Sequence, residues 1–172
     1  KKDAEAYVVG SRINIRNDSP IIGTYNSNRE GSGDMYAKGG SLLHTIRNII
    51  NDDEKWRIIL RGLNKDFWHQ TVTTQQVENY ISQKSGIDLS KVFDQYLRTT
   101  NIPVLQYKID GKTVSYKWSK VVKDFAMPIR VAINGKEVEI KPNETMQTFT
   151  FADEINSFEV DRNFYVNAEK VN

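Results

Sequence analysis

The residues best suited to chemistry lie in one stretch, where a tyrosine stands at the start of an apolar helix. Tyr36 follows Asp34 and precedes Gly39 and Gly40 within residues 30–40. Its phenol can point beyond the helix N-terminus, where open backbone N–H groups create a positive potential. A tyrosine in a first helical turn is usually a half-buried packing residue, and spacing alone favours that interpretation. The alternative is a hydrogen-bond donor at a reaction site.

The neighbours of this tyrosine predict how the helix begins. Asp34 is expected to accept hydrogen bonds from the first N–H groups of the helix, and Gly31 and Gly33 are expected to allow positive φ before it. Gly39 and Gly40 each cost about 1 kcal/mol relative to Ala inside a helix. We therefore expect another backbone or a ligand to pass close to this turn.

The other residues that could take part in chemistry are interpreted as structural. His44 and His69 are the only histidines, and no carboxylate completes a His-Glu-x-x-His zinc motif around them. Both are interpreted as packing or helix-end residues, and Lys38 is interpreted as a candidate for a structural ion pair. No cysteine, nucleophile elbow or phosphate-binding glycine loop occurs. The sequence therefore predicts no metal ligand and no cofactor-binding residue in this chain.

Composition narrows the class of protein. The chain has 172 residues and a net charge of +2, from 24 basic and 22 acidic side chains that are interspersed. This distribution provides no concentrated field for nucleic acid, and no apolar run approaches the roughly 20 residues of a membrane span. The composition does not assign the protein to a cellular compartment. Because the chain starts at Lys1 without a methionine, we expect a processed protein or a piece of a longer one.

Periodicity predicts helices first and strands afterwards. Apolar residues recur every three or four positions up to about Thr99, and every second position after Pro103. Four helices are predicted, at about 35–50, at 53–68, from a Thr73–Gln76 capping box to Gly86, and from Asp88 to near 102.

Two hairpins and several short strands are predicted after the helices. Asp110-Gly111 and Asn134-Gly135 are tight-turn pairs between alternating runs. Apolar pairs two residues apart, at Phe149 and Phe151, Phe158 and Val160, and Phe164 and Val166, indicate up to three more strands. The fold class is therefore predicted as α+β, with a helical segment at 1–101 and a small antiparallel β-sandwich at 102–172. A turn-rich loop at 17–33, before Tyr36, is interpreted as functional.

The segment Asp34-Met-Tyr36-Ala-Lys38-Gly39-Gly40 resembles the Tyr-x-Lys-Gly segment of the gluzincin zinc aminopeptidases, of the aminopeptidase N type. Further matches follow in the same order. They are the loop at 17–23, the helix through Phe93-Asp-Gln-Tyr-Leu97, the Ile102-Pro103 transition and Phe125-Ala-Met-Pro128.

This resemblance implies a zinc-dependent exopeptidase with a thermolysin-like catalytic domain followed by a β-sandwich. It implies that residues 1–101 are the C-terminal helical part of that domain. The zinc ligands and the general base would lie in a missing N-terminal half, outside this chain. The family's tyrosine donates a hydrogen bond to the oxyanion of the tetrahedral intermediate, and only Tyr36 occupies the matching position. The resemblance implies that the chain alone is inactive and that its parent acts on a peptide substrate.

A second hypothesis explains the absent metal ligands without a missing half. The chain would be a non-catalytic binding or scaffolding module that recognises a peptide or a glycan through the loop at 17–33. The reading frame upstream of Lys1 would distinguish the two, because only the peptidase hypothesis predicts a His-Glu-x-x-His motif there.

Overall fold

In the described part of the helical half there are five α-helices, one more than predicted. The computed structural model describes residues 2–26 and 31–172, so Lys1 and residues 27–30 of the predicted functional loop lie outside it. The helices are α1 (Lys2–Ser11), α2 (Asp34–Ile50), α3 (Asp53–Asp66), α4 (Thr74–Ser85) and α5 (Ser90–Arg98), and a 3₁₀ turn (Arg12–Asn14) follows α1. Helix α1 was missed because it has no fully buried residue and so no strong apolar periodicity.

Local signals place the later helix ends well. Thr73 and Gln76 form the predicted capping box at the start of α4, and Gly86 ends that helix with φ of 73°. Asp88 accepts a hydrogen bond from the Ser90 backbone N–H at the start of α5. Two ends differ from the prediction, because α3 ends at Asp66, two residues earlier, and α5 ends at Arg98 rather than near 102, where Thr99 turns extended. These ends set the helix lengths, and therefore which faces meet.

Seven strands follow the helices, which confirms the α+β class. They are β1 (Val104–Asp110), β2 (Thr113–Ser119), β3 (Ile129–Ile133), β4 (Lys136–Ile140), β5 (Gln147–Thr150), β6 (Phe158–Val160) and β7 (Asn167–Lys170). They form a four-stranded sheet in the order β5-β2-β1-β7 and a three-stranded sheet in the order β4-β3-β6. Both predicted hairpins occur, with Gly111, Asn134 and Gly135 at positive φ in their turns.

The end of the chain departs from the prediction. Strand β7 begins at Asn167 rather than within 164–166, and it pairs parallel to β1. The strands are therefore not all antiparallel. Phe164 is instead buried, because it packs in the core that helices and strands share. The division into domains at 1–101 and 102–172 stays a prediction.

One apolar core joins the two halves. Its fully buried members include Ile46 of α2, Tyr96 of α5, Trp118 of β2 and Ile129 of β3. No helix in the part of the chain that the structure describes is long and apolar enough to cross a bilayer. The shared core gives α2 a rigid support, and this helix carries the candidate site.

Candidate functional site

Helix α2 divides the candidate site into a buried polar face and an open face. Asp34, Lys38, Ser41 and Thr45 recur at helical spacing and are each at most 3% exposed. Tyr36 points the other way and is 81% exposed. The buried face therefore anchors the helix, and the face with Tyr36 is open to solvent.

Asp34 anchors the segment before the helix and does not cap α2 as predicted. Its two carboxylate oxygens accept hydrogen bonds from the backbone N–H groups of Arg16, at 2.9 Å, and Asn17, at 2.6 Å. Ser32 supplies the acceptors for the first backbone N–H groups of α2. Its hydroxyl accepts a hydrogen bond from the Asp34 N–H, and its carbonyl accepts one from the Met35 N–H. Because these hydrogen bonds go to a charged carboxylate, they hold residues 16 and 17 firmly beside the first turn of α2.

The glycines near Tyr36 differ from the prediction in their backbone conformation, and no neighbouring backbone in the described part of the chain accounts for Gly39 and Gly40, so a ligand close to this turn stays a prediction. Neither Gly31 nor Gly33 has positive φ, and Gly33 has φ of −57° at the N-cap. A Cβ on Gly39 or Gly40 would meet nothing within 4 Å. Within the described residues, no backbone packs against this turn, so the glycines leave one side of α2 open.

Lys38 is a buried anchor rather than the partner in an ion pair. Its Nζ donates to the Thr99 carbonyl oxygen at 2.7 Å, and the side chain is fully buried. Burial lowers the pKa of Lys38, and the negative charge of Asp34 opposes that shift. Lys38 therefore ties α2 to the end of α5.

The open face of α2 and the neighbouring helix α1 both expose aromatic and apolar side chains. Tyr36, Gly40 and Leu43 lie on one side of α2 because they are spaced by four and three residues. Tyr7 of α1 is 80% exposed and Ile13 of the 3₁₀ turn is 90% exposed. The hydroxyl of Tyr36 has no hydrogen-bond partner among the residues described. It is therefore free to donate to a bound group.

A polar cavity of about 270 Å³ lies at the same end of α2 as Tyr36. It is lined by Asn14, Arg16, Asp18, Gly33 and Asp34. Sequence reasoning missed Arg16 and Asp18 as site residues. The available signal was a pair of charged side chains in a turn-rich segment directly before the glycine–tyrosine stretch.

The two histidines lie apart from this cavity. Nε2 of His44 is 3.1 Å from Oδ1 of Asn163 and 3.3 Å from Nδ2 of Asn48, in a buried position. His69 is exposed three residues beyond the end of α3, where its ring forms a T-shaped contact with the ring of Trp68. In the described residues, no group of three or more His, Cys, Asp or Glu side chains could hold a metal ion. Those residues therefore do not fit a zinc site.

Comparisons with known proteins find aminopeptidases. No protein-family model matches the chain. The leucyl aminopeptidase of Saccharolobus solfataricus is 24% identical over 135 residues, which cover 74% of this chain and 17% of that protein. Probable aminopeptidase 1 of Sulfurisphaera tokodaii is 23% identical over the same shares. A crystal structure of Legionella pneumophila aminopeptidase A in complex with aspartic acid has a TM-score of 0.66 at 15% identity, over 92% of this chain and 21% of that chain.

These relatives overturn the family that the sequence suggested. They carry the names leucyl aminopeptidase, aminopeptidase 1 and aminopeptidase A, so the assignment to gluzincins of the aminopeptidase N type is wrong. The physical reason lies in the motif itself, because Lys38 serves to anchor a helix. A short segment shaped by helix packing does not single out one aminopeptidase family. The chain spans about a fifth of the length of these relatives, and the structural likeness shows a shared fold.

Proposed function

We propose that this chain is part of an aminopeptidase in which Tyr36 donates a hydrogen bond to the oxyanion formed as a peptide bond is attacked. The observation that carries the proposal is the position of Tyr36, which is 81% exposed with its hydroxyl free among the residues described. The aminopeptidase names of the relatives support the reaction class. The zinc of the parent and its ligands would lie outside this chain, as would the general base.

The exposed face of α1 and α2 supports a missing half. Tyr7 and Ile13 on α1 and the turn after it, and Tyr36 and Leu43 on α2, are apolar or aromatic side chains exposed to solvent on two helices that contact each other, and exposed apolar surface of this kind marks interfaces in soluble proteins. We propose that the remaining catalytic half of the parent covers this face and places the scissile bond near Tyr36. Asp34 would hold the segment at Arg16 as one wall of the substrate cleft.

The proposal assigns Tyr36 a role in the transition state. A phenol O–H that meets an oxyanion but not the ground-state carbonyl lowers the barrier without tightening substrate binding. Removing one such donor lowers kcat by about 10² to 10³ in other enzymes. Tyr36→Phe in the parent protein should therefore lower kcat by about that factor and leave KM nearly unchanged.

Tyr25→Phe is a matched control for this experiment. Tyr25 is 70% exposed and lies on the loop before α2, with its hydroxyl 3.5 Å from Thr74 Oγ1. Hydrolysis of aminoacyl anilides by the two variants, with zinc content and thermal stability measured beside it, separates chemistry from folding. Unchanged turnover in Tyr36→Phe would refute the role of the phenol. Zinc-dependent hydrolysis by residues 1–172 alone would refute the missing half.

The binding-module hypothesis has one observation in its favour. The exposed Tyr25 lies in the loop from 17 to 26, where an aromatic ring could contact a peptide or a glycan. A reading frame that starts directly before Lys1 would favour this function. An upstream segment with metal-ligand spacing would favour the peptidase.

A further inference from the structure

A groove between α3 and α4 lies outside the candidate site. Its volume is about 280 Å³. Its lining combines two kinds of residue. We call the apolar group, Ile58, Ile59, Gly62 and the ring of Tyr80, the floor, and the charged group, Lys55, Lys65, Lys84 and Asp66, the rim. Ile58 is 62% exposed, which leaves an aliphatic side chain in water beside three ammonium groups.

Gly62 and Tyr80 shape the groove. A Cβ at Gly62 would overlap the hydroxyl of Tyr80, so only glycine lets that ring lie against α3. The hydroxyl then donates to Oδ2 of Asp66 at 2.8 Å. This hydrogen bond occupies the single acidic side chain of the rim.

The lysines of the rim lack acidic partners. Lys55 Nζ donates to the Ser85 carbonyl oxygen, and Lys84 Nζ lies 5.3 Å from the centroid of the Tyr80 ring. In the ranges 2–26 and 31–172, no carboxylate lies within ion-pair distance of Lys55, Lys65 or Lys84. The rim therefore has net positive charge over an apolar floor, and it is complementary to a ligand that is acidic and apolar together.

We propose that this groove binds an acidic peptide segment that carries an aliphatic side chain. The aliphatic group would cover Ile58 and the Tyr80 ring, and the flanking carboxylates would meet Lys65 and Lys84. A concave site between two helices can take one peptide segment, whereas a bilayer is flat and a nucleic acid backbone offers no aliphatic side chain for Ile58, so the lining favours a peptide. The proposal does not depend on Tyr36 or on a missing half.

Fluorescence anisotropy with a labelled peptide of alternating Glu and Leu tests the groove. The sample is the full translation product of the gene, and a Lys and Leu peptide of equal length serves as the opposite-charge probe. The Glu peptide should bind and the Lys peptide should not. Lys65→Glu with Lys84→Glu should weaken binding at least about tenfold, because attraction becomes repulsion at two positions.

Controls separate the groove from general charge. Lys123→Glu with Lys136→Glu makes the same change in net charge at exposed positions outside the groove and should leave binding unchanged. Ile58→Ser keeps the charge, removes the exposed aliphatic contact and should weaken binding about fivefold. A Lys65 and Lys84 double variant that binds normally would overturn the proposal. Absence of Glu peptide binding, or tighter binding to phosphatidylserine vesicles or to a single-stranded oligonucleotide, would overturn it as well.

Discussion

Replacing Arg130 with methionine is expected to lower the free energy of unfolding by about 2–3 kcal/mol. Arg130 of β3 joins the strands to the C-terminal end of α2. Its guanidinium donates two hydrogen bonds to Oδ2 of Asp161, at 2.9 and 3.0 Å, and others to Asn48 and Asn51. It also lies over the ring of Phe164.

The magnitude follows from what the substitution leaves behind. Methionine keeps most of the apolar stem but removes every donor, so the carboxylate of Asp161 and two oxygens of Asn48 lose their partner. Breaking a fully buried ion pair costs about 3–5 kcal/mol, and an exposed pair contributes at most about 1 kcal/mol. Both side chains are 18% exposed, which places Arg130 between these limits.

Arg57→Met is the matched control. Arg57 Nη1 lies 2.7 Å from Glu54 Oε2, but the two side chains are 58% and 65% exposed. Urea unfolding measures the free energy of unfolding of the two variants, and thermal unfolding measures Tm; both compare equal chemistry at different burial. Arg130→Met should lower Tm by about 5–10 °C, and Arg57→Met should change it by at most about 2 °C. Equal and small losses of free energy of unfolding in both variants would show that Arg130 does not stabilise the contact between α2 and the strands.

Two further predictions concern the buried face of α2. Asp34→Asn removes the charge that holds the backbone of Arg16, so tryptic cleavage after Arg16 should become about tenfold faster, whereas exposed Asp18→Asn should leave the rate unchanged. Equal rates in Asp34→Asn and wild type would contradict the anchor. Because burial lowers the pKa of Lys38 from 10.5, the unfolded chain binds more protons than the folded chain between the lowered value and 10.5. Wild type should therefore gain stability relative to Lys38→Met as pH rises through that window. Urea unfolding at several pH values measures the difference in free energy of unfolding between the two proteins. A difference that stays flat or falls with pH would contradict the lowered pKa.

Local sequence signals predicted much of the fold. The capping box at Thr73, the αL glycine at 86 and the Asn134-Gly135 turn are each settled by neighbours within a few residues, so they could be found from sequence alone. Helix α1 and strand β7 could not. Helix α1 presents no fully buried side chain, and β7 is a strand because it pairs parallel to β1, more than 60 residues earlier.

The candidate site was predicted in part. The sequence placed Tyr36 in the first turn of a helix, and the spacing of apolar residues on α2 followed from the chemistry of a helix with one face in a core. It could not show that Asp34 turns toward Arg16 or that the Lys38 ammonium reaches Thr99. These partners are 18 and 61 residues away along the chain.

Local sequence patterns therefore predicted the order from α2 to β6, both hairpin turns and the residue types around Tyr36. Which side of α2 is covered follows only from the tertiary fold. Segments distant along the chain, around Arg16 and Thr99, pack on the side of Asp34 and Lys38, and the side of Tyr36 stays open among the residues described. Helical periodicity sets which residues share a face, whereas burial of a face depends on contacts that close long loops.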